Sequence, residues 1–302
     1  KSNISGVRGL RLDVSASRKY RNNLGLSHIL GYTGKVSRTD LASNKGFSIS
    51  DILGKTGVEY TYDSWLRGKN GKRKTEVDSQ LNTRREGVIQ NPEAGNDLVL
   101  SIDLPMQEKL FTAFEDALAT LKIKSGAGIA MDPKSGEILA LVSFPDYDNN
   151  AFAETNASEI KKILNDGNNP LFNRAISGEY LPGSSIKPML ASGALEEGIV
   201  NEKTLVNSNE DILVVNQYDP SIVYRFKDTA DYGRVGVKRA LAVSSNIYFY
   251  TIGGGNATGT NIFHGLGVTK MRDYFRAFGL GSTLGIDLPQ ESSGRVPDPA
   301  WK

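Results

Sequence analysis

The sequence predicts an α+β fold in two parts, and three observations carry that prediction. Two β-prone runs, 126–131 and 137–142, are joined by the turn-forming residues Asp132-Pro-Lys-Ser-Gly136, the pattern of an antiparallel hairpin. Helical patterns over 184–197, 237–250 and 271–278 then follow as a group, without a strict alternation of strand and helix. The stretch before residue 96 has a different texture, with short β-prone runs such as 10–14 and 58–62 broken by Gly and Asn clusters. Boundaries of 1–95 and 96–302 are therefore expected, with Asn91-Pro-Glu-Ala-Gly95 as the linker.

The second part opens with a short apolar strand at 98–102. A helix follows, with Asp103 as N-cap and Pro105 in the first turn. Leu110, Phe111, Phe114, Leu118 and Leu121 recur at helical spacing and form one buried stripe. In the first part Arg67, Lys69, Lys72, Arg73, Lys74, Arg84 and Arg85 face only Glu76, Asp78 and Glu86. Such a cluster reads either as solvated hairpin faces or as a contact with an anionic surface.

Composition narrows the chemistry. With 39% hydrophobic and 23% charged residues the chain is globular. A net charge of +2 gives no electrostatic argument for nucleic acid. No cysteine is present, which excludes a thiolate metal site, a disulfide scaffold and a Cys nucleophile. The only histidines are His28 and His264, so a multi-histidine centre is excluded and both are read as structural. No apolar stretch approaches the ~18 residues of a membrane span. The chain opens at Lys1 without a signal pattern and stops just after Pro297 and Pro299, so it reads as a piece of a longer protein.

Ser, Lys, Asp, Glu and Tyr remain as carriers of chemistry. In Pro182-Gly-Ser-Ser-Ile-Lys-Pro188 a helix would place Ser184 and Lys187 on one face, one turn apart. A serine hydroxyl needs an adjacent base, and a lysine serves when burial lowers its pKa. The helix entrance adds free N–H groups and a positive dipole end for an oxyanion. Ser158-Glu-Ile-Lys161 has the same spacing but reads as an exposed polar helix. Ser244-Ser-Asn246 interrupts an apolar helical run. It reads either as a helix cap or as a proton-relaying serine with an amide that orients a substrate. Tyr248 and Tyr250 read as core aromatics, and the sequons Asn156-Ala-Ser158 and Asn256-Ala-Thr258 as exposed loops.

Ser-x-x-Lys followed about 60 residues later by Ser-x-Asn resembles the active-site set of penicillin-binding proteins and serine β-lactamases. Val99-Leu-Ser-Ile-Asp103 with Gln107, Ala130-Met-Asp-Pro-Lys-Ser-Gly-Glu-Ile-Leu-Ala-Leu-Val142 and Pro145-Asp-Tyr-Asp148 resemble the opening of a transpeptidase domain. Asn173-Arg-Ala175, Tyr180-Leu-Pro and Gly285-Ile-Asp-Leu-Pro289 extend the match. Ser27-His-Ile-Leu-Gly-Tyr32, Gly31-Tyr-Thr-Gly34, Gly54-Lys-Thr-Gly-Val-Glu59 with Tyr62, and Leu66-Arg-Gly68 resemble the pedestal of class B penicillin-binding proteins. Ser244-Ser-Asn-Ile-Tyr-Phe-Tyr250 is most similar to the elongation type, penicillin-binding protein 2.

The resemblance implies a transpeptidase head, antiparallel sheet with helices, on a β-rich pedestal. It implies a peptidoglycan D,D-transpeptidase, inhibited by β-lactams, without metal or organic cofactor. Ser184 would attack the penultimate D-Ala carbonyl, Lys187 take its proton, Ser244 pass a proton to the leaving D-Ala, and Asn246 hold the donor amide. Implied partners are stem peptides and their lipid-linked precursor, a membrane-embedded glycan polymerase and morphogenetic proteins. The implied location is the outer face of the bacterial cytoplasmic membrane.

One departure stands out. No Lys-Thr-Gly or Lys-Ser-Gly follows Asn246. Lys55-Thr-Gly57 and Lys134-Ser-Gly136 precede the nucleophile and belong to other segments. A phosphate loop at Gly54-Lys-Thr56 is rejected because its first glycine would fall on Ile49. The third motif supplies the carboxylate site and an oxyanion N–H, a donor worth roughly 2.7–4 kcal/mol. The chain by itself is thus expected not to be a competent enzyme and to leave the head incomplete at its C-terminal end. The competing expectation is a non-catalytic cell-wall module that binds partners; a β-lactam hydrolase or penicillin sensor is a third reading, opposed by the pedestal.

Overall fold

The computed structural model describes residues 17–21, 24–43, 46–80, 83–209, 211–216, 218–258 and 261–301. The β-prone run at 10–14 lies outside the described residues. Two compact units are present, one reaching to Gly178 and including Asp287–Glu291, the other holding Glu179–Ile286 and the residues after Glu291. Every strand pair among the described residues is antiparallel, as an α+β fold requires.

The first unit begins with α1 (Ser27–Leu30), β1 (Thr33–Lys35), α2 (Arg38–Ser43), β2 (Ile52–Gly54), α3 (Gly57–Thr61) and α4 (Asp63–Leu66). The run at 58–62, expected to be β-prone, is thus helical. Its reason is not local. Gly57 sits at φ +60, and a Cβ there would lie 2.4 Å from the Gly31 nitrogen, so the turn into α3 is set by backbone contact with the loop after α1. The hairpin β3 (Lys72–Val77) and β4 (Thr83–Gln90) carries the basic cluster; β3 is exposed along its whole length. Lys69 and Glu93 form a β-bridge, with N–H to carbonyl distances of 2.9 and 3.0 Å, so the expected linker is pinned to the segment before it.

Next come α5 (Leu104–Leu121), β5 (Gly126–Met131), β6 (Ile138–Phe144), α6 (Asn150–Ala153) and α7 (Ala157–Asn165). Asp103 caps α5 by accepting from the Met106 N–H at 2.9 Å. Phe111, Val142 and Phe144 form a buried cluster with Leu110, Phe114 and Leu118 against it. Leu121, expected on that stripe, is 65% exposed, because it is the last helical residue before left-handed Lys122. The strand expected at 98–102 does not form. Among the described residues, that segment and the cap after it reach β6 through Ser101 Oγ to the Ile138 carbonyl and the Asp103 N–H to the Leu139 carbonyl, both 2.8 Å. Buried Gln107 donates to the carbonyls of Leu24 and Leu141 at 2.9 Å and accepts from the Leu141 N–H at 2.8 Å. One amide thereby bolts the chain at Leu24 to α5 and β6, satisfying polar groups that burial would otherwise penalise.

The second unit contains a 3-10 turn (Gly183–Ile186), α8 (Lys187–Glu196), β7 (Val206–Asn207), β8 (Ile212–Val215), β9 (Val223–Phe226), β10 (Arg234–Val235), α9 (Val237–Ala242), α10 (Asn246–Gly254), β11 (Asn256–Thr258), β12 (Asn261–Phe263) and α11 (Gly267–Ala277). β7 pairs with β10, enclosing the β8–β9 hairpin. Leu190, Ala194, Val235, Ala240, Phe249 and Ile252 build its core from α8, β10, α9 and α10. Each large aliphatic or aromatic side chain buried there contributes roughly 1.5–3 kcal/mol.

The helix expected over 237–250 is broken at Val243–Ser245, with Ser244 at φ +55. Tyr248 is buried as expected of a core aromatic. Tyr250 is 45% exposed and instead packs edge-on against Phe226, ring centroids 5.4 Å apart, because the helix restarts at Asn246 and turns it outward. The two sequons are not loops: Asn156 caps α7, and Asn256–Thr258 is β11.

Candidate active site

Pro182 and Gly183 make the elbow before Ser184. Gly183 lies at φ +56, a conformation that costs other residues a clash with Cβ. The Ser185 hydroxyl donates to the Pro182 carbonyl at 2.7 Å and tightens the turn. Ser184 is exposed on this 3-10 turn, whose first N–H groups have no carbonyl a turn earlier to bond. Pro188 in the first turn of α8 needs no donor there, so α8 starts at Lys187. The single helix expected over 184–197 is therefore a 3-10 turn followed by an α-helix.

Lys187 is buried, 8% exposed, and points at the break between α9 and α10. Its Nζ donates to the Ser244 carbonyl at 2.6 Å, the Ser244 hydroxyl at 3.0 Å and the Asn246 Oδ1 at 2.8 Å. Three acceptors match the three protons of an ammonium. The Phe249 ring lies 5.5 Å away. Burial lowers the Lys187 pKa from the ordinary lysine value, and the charge of Asp228 opposes that shift. The fold thus gathers Lys187, Ser244 and Asn246 around one nitrogen, with Ser184 one turn earlier in the chain. None of the three oxygens bound to that nitrogen is Ser184's.

Ser244 holds its left-handed backbone between two anchors: its N–H donates to the Leu241 carbonyl at 3.2 Å, and the Ser245 N–H donates to the Ala240 carbonyl at 2.9 Å. Such a conformation is retained only where the surroundings enforce it. Ser245, fully buried, caps α10 by accepting from the Tyr248 N–H at 3.1 Å. The cap reading of Ser244-Ser-Asn246 holds for the middle serine, and its two neighbours face Lys187.

Sequence reasoning missed Asp228, in the loop after β9. Its carboxylate accepts from the hydroxyls of Ser208 at 2.7 Å and Ser245 at 2.5 Å, and from the N–H groups of Asn246 at 2.9 Å and Ile247 at 3.3 Å. Burial raises its pKa, but the hydrogen bonds from Ser245, Ser208 and Asn246 outweigh this and leave it below the usual carboxylate value. A carboxylate at the start of α10 also suits the helix dipole. Nothing local marks it; Asp219 and Asp231 sit in equally polar stretches.

His28 is buried against the Pro170 carbonyl, Nε2 to oxygen 2.7 Å, and burial pushes its pKa down to about 4. His264 is exposed. No group of three metal-ligating side chains comes together among the described residues. No helix among them is long and apolar enough to cross a membrane.

Residues 126–302 match the family described as penicillin binding protein transpeptidase domain, and residues 1–100 match the penicillin-binding protein dimerisation domain. The chain is 33% identical over 299 residues to the peptidoglycan D,D-transpeptidase MrdA of Acinetobacter baumannii, covering 97% of this chain and 41% of that protein. It is similar to the penicillin-binding protein PBP2 solved with MreC from Helicobacter pylori, with TM-score 0.73, 30% identity, and 94% and 49% of the two chains covered. It is also similar to Pseudomonas aeruginosa PBP2 in complex with WCK 5153, with TM-score 0.69, 28% identity, and 92% and 54% covered. The chain thus spans about half, or less, of each of these relatives.

Proposed function

The chain belongs to the penicillin-binding protein transpeptidase family, and from that premise we propose that it carries the acyl-transfer site of a peptidoglycan D,D-transpeptidase acylated by β-lactams. The observation that carries this reading is the meeting of Lys187 Nζ with Ser244 Oγ and Asn246 Oδ1, one turn beyond Ser184. Ser184 Oγ attacks the penultimate D-Ala carbonyl of a stem peptide while the free amine of Lys187 takes its proton. The N–H groups at the helix entrance face the developing oxyanion. Collapse of the tetrahedral adduct expels D-Ala, whose nitrogen receives a proton through Ser244. The amine of a neighbouring stem then attacks the acyl-serine and loses its proton to the same base, which passes it to the departing Ser184 Oγ, restoring the hydroxyl and the free amine. Asn246, its backbone N–H held by Asp228, presents its amide to the donor peptide. No residue of this chain is assigned the role of the Lys-Thr-Gly motif, which does not follow Asn246 in the sequence.

Residues 1–95 are read as a pedestal and 96–302 as the head, supported by two family matches that divide the chain similarly. Location at the outer face of the cytoplasmic membrane, a glycan polymerase and a morphogenetic partner belong to the same reading; the Helicobacter relative was solved with MreC. The experiment is labelling of the full-length protein by a fluorescent penicillin. Wild type is labelled and Ser184→Ala is not; labelling that survives Ser184→Ala overturns the assignment of the nucleophile.

A further inference from the structure

Five segments that carry the family likeness take no part in the cluster around Lys187, and all five border one cavity of the first unit. They contribute His28, Lys55 to Gly57, Tyr147, Asn173, and Leu288 with Pro289, around a volume of about 460 Å³. That is the size of a small-molecule site. Its rim is held in place. The Tyr62 hydroxyl donates to Asp287 Oδ2 at 2.6 Å, and the Ser177 hydroxyl donates to the Gln290 carbonyl at 2.7 Å. Gln290, which also lines the cavity, is kept at φ +69, a backbone strain that structures retain where something enforces it.

The polar groups define the ligand. Lys55 Nζ lies 2.5 Å from Asp40 Oδ2, so it offers no free charge to an anion. His28 is neutral, with Nε2 committed to the Pro170 carbonyl. What remains is uncharged: the Asn173 amide, whose Oδ1 also accepts from the Ala175 N–H at 3.1 Å, the Gln290 amide and the buried Thr56 hydroxyl. That hydroxyl is buried beside the Tyr147 phenol. A hydroxyl carries one donor and two acceptor sites, so a bound polar group can complete its hydrogen bonding. Tyr60 is 58% exposed on the cavity wall, an aromatic face free to stack. Neutral donors and acceptors around an aromatic face and the apolar Leu171, Leu288 and Pro289 match an N-acetylated sugar. A stem peptide, with its carboxylates, would want a free cation.

We propose that this cavity binds an N-acetylated amino-sugar unit of the glycan strand, with Tyr60 under the sugar ring and Thr56, Asn173 and Gln290 meeting its hydroxyl and acetamido groups. The proposal rests on the reading of the chain as a peptidoglycan enzyme and deepens it, giving the glycan a binding site built from residues other than those around Lys187.

The test is calorimetric titration of the full-length protein with N,N′-diacetylchitobiose, with a stem pentapeptide as comparator. Saturable binding of the disaccharide is expected, weakened about tenfold or more by Tyr60→Ala and by Gln290→Ala. Circular dichroism checks that both variants fold, which exposed Tyr60 makes safe to expect. No saturation in the millimolar range overturns the proposal. So does binding indifferent to both substitutions, or a pentapeptide that binds while the disaccharide does not. Because Ser184→Ala leaves the cavity intact, sugar binding by that variant separates the two readings. Wild type that binds the sugar but is not acylated sinks only the assigned chemistry, and wild type that is acylated but does not bind the sugar sinks only this site.

Discussion

The chain contains two Ser-x-x-Lys segments with opposite fates. Ser158 and Lys161 lie on α7, a helix with no buried residue, capped by Asn156 and decorated by the exposed Lys162–Glu159 pair at 2.6 Å. Ser184 and Lys187 straddle a 3-10 turn and the first residue of α8, and Lys187 is buried. The spacing is identical. What differs is the arrival at Lys187 of three oxygens from residues 57 and 59 positions away, ordered by a carboxylate from another loop. Spacing nominates a lysine; burial and remote partners set it apart.

The largest effect should separate the two lysines directly. Lys187→Ala is expected to slow penicillin acylation by about 10²–10⁴-fold, the usual worth of a general base. Lys161→Ala should leave the rate unchanged in the same stopped assay. Equal effects, or none, would dissolve the contrast.

Asp228 comes next, since the Lys161 segment has nothing like it. Asp228→Ala strips partners from Ser245, Ser208 and two N–H groups, a loss of roughly 1–3 kcal/mol for unpaired polar groups, or about five- to 150-fold in acylation rate where that loss falls on the reaction barrier. Asp228→Asn probes the charge alone. With Lys187 as the proposed base, acylation needs its neutral amine, so the rate rises with pH until that amine is free. Burial lowers the Lys187 pKa and Asp228 raises it. Removing the negative charge lets the pKa fall further, and the acid limb of the pH–rate profile should move to lower pH. A limb that stays in place, measured by label incorporation across pH, would leave Asp228 a purely structural cap.

The smallest contrast lies in the backbone of the two serines. At Ser244, in the left-handed region, Gly should be more stable than Ala by about 1–2 kcal/mol. At Ser158, within a regular helix, Ala should exceed Gly by up to about 1 kcal/mol. Thermal melts of the four variants read both differences, and the same order at both sites would contradict the backbone described for Ser244.

Local chemistry was readable wherever neighbours in the chain settle the outcome. The turn Asp132-Pro-Lys-Ser-Gly136 does join β5 to β6, with the Asp132 N–H donating to the Glu137 carbonyl at 3.0 Å. Asp103 does cap α5. Segment 98–102 misled because an apolar run is consistent with a strand but does not supply the neighbour to pair with. Segment 58–62 misled because β-branched and aromatic residues favour strands only when a sheet receives them, and here the approach of Gly31 to Gly57 sets a helical turn. The break at Ser244 was signalled by three polar residues in an apolar run, though not its hand. Asp228 left no signal at all.

By itself, then, the sequence determined the turns, the caps, the half-buried apolar stripe of α5 from Leu110 to Leu118, and the candidate serine and lysine at the Pro182-Gly183 elbow, because each depends on residues within a turn or two of one another. Only the tertiary structure decided that Lys187 is the buried lysine, that Asp228 orders Ser245 and Asn246, and that family-like segments from Ser27 to Pro289 share a cavity. Desolvation and hydrogen bonding act through space, and distance along the chain does not encode which oxygen will stand 3 Å from a given nitrogen.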